Sequence, residues 1–435
     1  MSTSRTCCRL ASTALASVLL LSCGGAAYAQ SQPQTQTQTS EGTSDAQAQR
    51  RTTTFLDLEA GLGFSSNPFL QFNSHSTAFG RLSASGTHMW TSERGVTALT
   101  GYVENTTYFR GGYGSKQIFD VGARTSQAVS ETVSVYGNVN FSGDFAGQLS
   151  NRLVSVPSQP PVVEPGNPLP PPADYPDLFG LSGRQYRLTG NVGTSIKTSA
   201  RGTLSLSGGA QHSWFSGPSK ELDYTSYYGS AGYSAQVSER TSVGGTIYLQ
   251  HQDFRHGDWA NTINPVVNAS TQLSPTVTAS GSVGVMVINQ ESFGHKDHTV
   301  SPSFSASLCG RGDNSTFCAR LSRDAQSALS SSVLNGQREA TINTSLTGDY
   351  WRRLSRDETI QASLTAVHYT SAAAVSGDRL RSTLVSGVVG YDRHVGHRLF
   401  AGVQGGARKL FQTGPDPKLD LNASVYLRYR LGDLL

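Results

Sequence analysis

The feature that most constrains this chain is a two-residue hydropathy period that starts near residue 53 and runs almost to the end. In LDLNASVYLRYRL, Leu419 to Leu431, one alternate set is Leu419, Leu421, Ala423, Val425, Leu427, Tyr429 and Leu431. The other is Asp420, Asn422, Ser424, Tyr426, Arg428 and Arg430. Successive side chains of a β-strand point to opposite faces, so this segment reads as a strand with one apolar side and one hydrated side. TFLDLEAGLGF repeats the pattern, setting Leu56, Leu58, Ala60, Leu62 and Phe64 against Asp57 and Glu59. So do VSVYGNVNF, YRLTGNVGTSI, VGGTIYLQ, TVTASGSVGVMV and EATINTSLTGDY. No segment sustains a 3.6-residue period.

The connections between these segments alternate in length. TSERG, VSET, TSARG, VSERT, LSPT, the stretch between Cys309 and Cys318, RRLSRDE and VGHR are short. Between them lie SSNPFLQFNSHS, RGGYGSK, a proline tract around Pro157 to Pro176, SGPSKELD, FRHGDWAN, NQESFGHKDH, SALSSSVLNGQ, SAAAVSGD and QTGPDPK, read as longer loops. Short turns on one side and long loops on the other are the signature of up-and-down hairpins in an outer-membrane barrel. The count implies about 18 strands, an even number with both ends of the barrel in the periplasm. The expected fold is therefore all-β, a closed antiparallel up-and-down transmembrane barrel over 53–435. A β-sandwich rarely sustains this many strands in one domain, and a β-helix would show a short repeated coil without alternating connections.

Composition agrees. Hydrophobic residues are 37% and charged residues 15%, with abundant Gly, Ser and Thr. A soluble domain of this length needs more apolar residues for its core, whereas a barrel around water needs them only at alternate outward positions. Phe64, Phe141, Tyr186, Trp214, Tyr350, Tyr391 and Tyr429 fall near strand ends, where aromatic girdles sit in such barrels.

Arg5 and Arg9, the apolar run LASTALASVLLL and the small-x-small Ala27-Tyr28-Ala29 predict a secretory signal peptide over 1–29. LLSC, ending at Cys23, is the competing lipoprotein reading. Loss of 1–29 removes two arginines and no acid, which takes the formal charge from +4 to about +2, too near neutral for nucleic-acid binding by bulk charge. Residues 30–52 are polar and low in complexity, and read as a disordered periplasmic tail. Cys309 and Cys318 lie beyond the signal and read as one small-loop disulfide of an exported chain.

Little in the sequence looks catalytic. No GxSxG, HExxH or phosphate-cradling loop stands out. His295 to His298, HKDH, hints at a metal, but a solvated loop tip is the simpler reading. Arg311-Gly312-Asp313 falls in the expected periplasmic disulfide loop, which argues against adhesion. Polar-row charges matter more. Asp120, Arg124, Arg187, Arg320, Asp324, Asp420, Arg428 and Arg430 are expected in the bore, with Arg320, Arg428 and Arg430 near its periplasmic mouth. Guanidiniums there would concentrate anionic solutes; equally, they would simply pair with acids.

GLGFSSNPF, Gly61 to Phe69, resembles the Gly-x-Gly-aromatic-x-Ser-Asn-Pro opening of the β-barrel porin 2 family, and LCGRGDNSTFCARLSRD resembles one of its late hairpins. The resemblance covers roughly residues 53–431 and brings no catalytic residues, metal or cofactor. It implies an outer-membrane pore, often encoded beside exopolysaccharide synthesis and export genes. Such barrels usually end on an aromatic residue read by the barrel-assembly machinery; here GDLL follows Leu431, with Tyr429 and Leu435 in the matching parity.

The sequence thus predicts a non-enzymatic, porin-like conduit in the outer membrane of a Gram-negative bacterium. Its expected partners are outer-membrane lipids, the assembly machinery and, in the export reading, an acidic exopolysaccharide with periplasmic export proteins. No nucleic acid and no cofactor are expected. The alternatives are a general small-solute porin, a barrel enzyme acting on lipid or glycan through His251 or His368, and a surface protein whose loops close the pore.

Overall fold

The computed structural model describes residues 51–70, 74–144, 184–216, 220, 223–292, 294–326, 341–371, 381–412 and 417–432. The expected signal peptide, the tail up to Arg50 and the proline tract lie outside the described residues.

The alternating segments form eighteen antiparallel strands in one closed sheet. They are β1 (Arg51–Ser65), β2 (Thr77–Ser92), β3 (Gly95–Tyr108), β4 (Ser115–Ala128), β5 (Val133–Asp144), β6 (Gln185–Lys197), β7 (Gly202–Phe215), β8 (Tyr224–Gln236) and β9 (Thr241–Phe254). The circuit continues through β10 (Trp259–Ser274), β11 (Val277–Ser292), β12 (His295–Arg311), β13 (Ser315–Gln326), β14 (Thr341–Arg353), β15 (Glu358–Ser371), β16 (Arg381–Gly396), β17 (Leu399–Gln412) and β18 (Asp420–Gly432). Ring order follows chain order, and β18 returns to pair with β1 from Phe55↔Gly432 to Ser65↔Asn422. This is the closed up-and-down barrel that the alternation predicts. Among the described residues no helix is long and apolar enough to cross a membrane.

The two faces of the wall differ as the parity requires. Outward positions carry large exposed apolar groups, Leu62 at 62% and Val425 at 59% among them. Opposite-parity neighbours such as Asp57 and Asp420 are buried on the inside. Aromatic rings cluster on the outer face toward the loop end: Phe141 stacks on Tyr186 at 6.4 Å and on Trp214 at 5.9 Å. At the turn end, Tyr350 and Tyr429 are exposed on the outside.

Four local expectations change. β1 begins at Arg51, two residues inside the expected tail. NQESFGHKDH is mostly strand, because β11 runs to Ser292 and β12 resumes at His295, with Asn289 opposite His298 and Glu291 opposite Lys296. FRHGDWAN shrinks likewise to one helical turn, Arg255–Gly257. Polar sequence here marks strand that has risen beyond the apolar band, where ladder hydrogen bonds still hold it. The cysteine loop also becomes mostly strand: Cys309 and Cys318 sit directly opposite on β12 and β13, joined by a disulfide, with only Gly312–Asn314 between the strands.

Candidate functional site: the bore

The inner wall has two unlike halves. From β7 through β11 the strands hold only two charged residues, Asp253 and Glu291, and both have outward parity. Their inward positions are dominated by Ser, Thr, Asn, Gln, Tyr and Gly, with an apolar patch of Tyr224, Phe254, Ala260, Met286 and Ile288 toward the loop end, which Ile342 of β14 joins.

The other half carries the charges, largely as pairs. Arg430 donates to Asp57 through Nε at 2.7 Å and Nη2 at 2.6 Å. Arg81 donates to Glu59 at 2.6 Å and Arg320 to Asp349 at 3.0 Å. Asp392 accepts from the Tyr426 hydroxyl at 2.8 Å and from Gln361 at 3.1 Å, with Arg428 at 3.5 Å. The guanidiniums of Arg428 and Arg430 lie 5.0 and 5.6 Å from the centroid of the Phe400 ring.

The expected arginine cluster is therefore dispersed. Arg428 and Arg430 share β18, while Arg320 stands on β13, five strands away, and each has its own carboxylate. Asp120 faces inward on β4 and accepts from Asn140 at 2.8 Å. Arg124 shares its face. Arg187 faces inward on β6 opposite Ser142, and Asp324 inward on β13 opposite Asn343. Asp420 is fully buried.

Asp420 organises a feature that the alternation did not foretell. It accepts from the Ser65 hydroxyl at 2.6 Å, from the Asn67 backbone N–H at 2.9 Å, and from Arg408 Nη2 at 2.7 Å. Arg408 also donates to the Pro68 carbonyl at 3.1 Å, and Asn67 Nδ2 to the Lys418 carbonyl at 2.9 Å. Phe69 then packs on Phe79, Tyr108 and Tyr113, under the Lys116 ammonium at 3.4 Å from its centroid. Leu70 packs on Leu384 and Leu410 and is only 2% exposed. Phe79, Tyr108, Leu384 and Leu410 all have inward parity. The turn Asn67–Leu70 thus folds back inside the barrel near its loop end. Leu70 takes φ 47°, a left-handed conformation that costs a side-chain-bearing residue about 1–3 kcal/mol and persists because its surroundings fix it. A signal was available: Pro-Phe-Leu is too apolar for a loop standing in water.

The two histidines weighed for catalysis face away from the bore, whereas His394 faces inward and stacks on Phe400 at 4.6 Å. His251 has outward parity and bonds Asn261 at 2.6 Å and Asp253 at 3.0 Å. His368, also outward, bonds Thr383 at 2.8 Å and Thr370 at 3.2 Å. His295 and His298 lie on β12 rather than on a loop tip, and His298 bonds Asn289 at 2.6 Å. Among the described residues no group of three metal-ligating side chains assembles. Arg311 ends β12, and Gly312 and Asp313 follow in the tight turn.

No protein-family model matches the chain. No characterised protein matches it in sequence. Among solved structures it is similar to Pseudomonas aeruginosa OccK2 (OpdF), at 12% identity and a TM-score of 0.43, over 88% of this chain and 98% of that one. A BenF-like porin from Pseudomonas fluorescens Pf-5 matches at 11% identity and TM-score 0.43, over 88% and 98%. The FrpB iron transporter from Neisseria meningitidis matches at 9% identity and TM-score 0.44, over 83% and 62%. Likenesses this distant carry no functional conclusion, which rests on the walls of the barrel itself.

Proposed function

We propose that the chain is a porin-like channel of the outer membrane, through which solutes pass passively along a polar bore. The observation that carries this reading is the closed ring with exposed leucine, valine and aromatic side chains outside and hydroxyl, amide and ion-paired groups inside. An exposed apolar belt closed on itself is stable against hydrocarbon, and closure leaves no unpaired strand edge in the bilayer. The pairing of Arg320, Arg428 and Arg430 removes much of the positive field expected at the mouth, so an acidic solute is not specially favoured there. The specific version is export of a polysaccharide from the periplasm, in keeping with the porin 2 resemblance of Gly61 to Phe69.

Reconstitution of the purified chain in planar bilayers tests the channel, with discrete conductance steps expected. A folded barrel that never conducts overturns it. Deletion of the gene tests the export version: unchanged secreted polymer together with altered small-solute permeability leaves a general porin.

A further inference from the structure

We propose that the uncharged half of the bore is a binding lane for a neutral, hydroxyl-rich chain, an uncharged oligosaccharide; the proposal rests on the channel reading. The lane is marked by three tyrosines, Tyr228 and Tyr248 within β7–β11 and Tyr136 at its border on β5. Tyr136 on β5 is directly opposite Gly193, which is opposite Ser207, then Ser230, then Tyr248. This one rung, crossing five tilted strands, climbs the inner wall obliquely with a tyrosine at each end and small residues between. Tyr228 stands one inward position toward the loop end from Ser230, opposite Gly209.

Two of these rings lie back against the wall where only glycine allows it. A Cβ at position 193 would lie 2.3 Å from Tyr136 Cζ, and one at position 209 would lie 2.6 Å from Tyr228 Cζ. Rings held this way offer a face to the bore instead of blocking it. Tyr248 is 39% exposed. Between the rings is the Ser207–Ser230 hydroxyl pair at 2.6 Å, and beyond Tyr248 Asn268 of β10 donates to Thr246 at 3.1 Å.

This chemistry matches one class of solute. A sugar ring carries weakly positive C–H groups on its faces, which suit the negative face of an aromatic ring. Its hydroxyls both donate and accept, as do serine, threonine, asparagine and glutamine. A polyanion would find no cation on the inner face of β7–β11, where Ser207, Tyr228, Ser230 and Tyr248 stand; the inward cations of the neighbouring wall, Arg124 on β4 and Arg187 and Lys197 on β6, flank only the Tyr136 end of the rung. Many weak sites in series also allow a long solute to leave as readily as it enters.

The test is current block in planar bilayers holding the full-length folded chain, with maltohexaose as the neutral probe and an oligogalacturonate of matching length as the anionic one. Maltohexaose should produce brief interruptions whose frequency rises with concentration, and the anion far fewer. Tyr136→Ala and Tyr248→Ala should each weaken the block about tenfold while leaving ion conductance in place, and Tyr136→Phe should retain it. A conducting pore that ignores maltohexaose overturns the lane and leaves the channel reading standing. Equal block by the anion, or unchanged block in both alanine variants, overturns it too. A folded barrel with no ion conductance overturns the channel reading itself. Heat-modifiable gel mobility confirms that each variant is folded.

Discussion

Arg430 holds Asp57 in a two-pronged grip, and 373 positions of chain separate the two residues. They are also register partners, so the ion pair lies on the seam where the last strand meets the first. Near the other end of the same seam, Asp420 on β18 takes the Ser65 hydroxyl of β1. Closure is thus fastened toward both ends by side chains as well as by the ladder.

Breaking one partner of that pair leaves a largely buried charge uncompensated. Arg430→Gln should cost about 3 kcal/mol or more. The readout is the temperature at which the heat-modifiable band shifts on a gel. Asp57→Asn combined with Arg430→Gln should recover part of the loss, because no lone charge remains; a double variant worse than either single one contradicts this.

Val425 points outward and is well exposed, so Val425→Arg places a guanidinium against hydrocarbon at a cost of roughly 2–4 kcal/mol near midplane. Assembly yield in outer-membrane fractions should fall. The neighbouring Ser424, though inward, is only 9% exposed and makes a poor control. Asn138, inward and exposed, is the better one, and Asn138→Arg should assemble normally.

The folded-in turn narrows the bore. Phe69→Ala with Leu70→Ala should raise single-channel conductance, while truncating both buried side chains lowers stability by about 2–5 kcal/mol each. Asp420→Ala should act in the same direction by releasing Ser65, Asn67 and Arg408 together. Conductance equal to that of the native chain in both variants contradicts an obstructing role.

The disulfide closes a loop of about ten residues, so its chain-entropy contribution is about 2–3 kcal/mol. Cys309→Ser with Cys318→Ser should lower the urea midpoint of refolded barrels modestly and leave the strand signal in circular dichroism intact.

Much of this was legible because a strand reports its faces every second residue. Leu56, Leu58 and Leu62 against Asp57 and Glu59 mark both the strand and its inward side. Ends were harder: Glu291, Lys296 and His298 are polar, and polarity suits a loop and an overhanging strand equally well. Pairing across strands was not legible at all, since nothing local to Arg320 announces Asp349 29 positions later. The turn at Asn67 was hidden for a further reason: the alternation stops at Ser65, and beyond it no period says whether the chain turns outward or in.

Because spatial neighbours are chain neighbours everywhere except at β1 and β18, an unfinished molecule is a curled ribbon with two raw margins. Every hairpin can form as it emerges, yet none of them hides those margins. Only the arrival of the final strand does so, bringing Asp420, Arg428 and Arg430 with it. A copy lacking that last hairpin would keep both margins open to other ribbons.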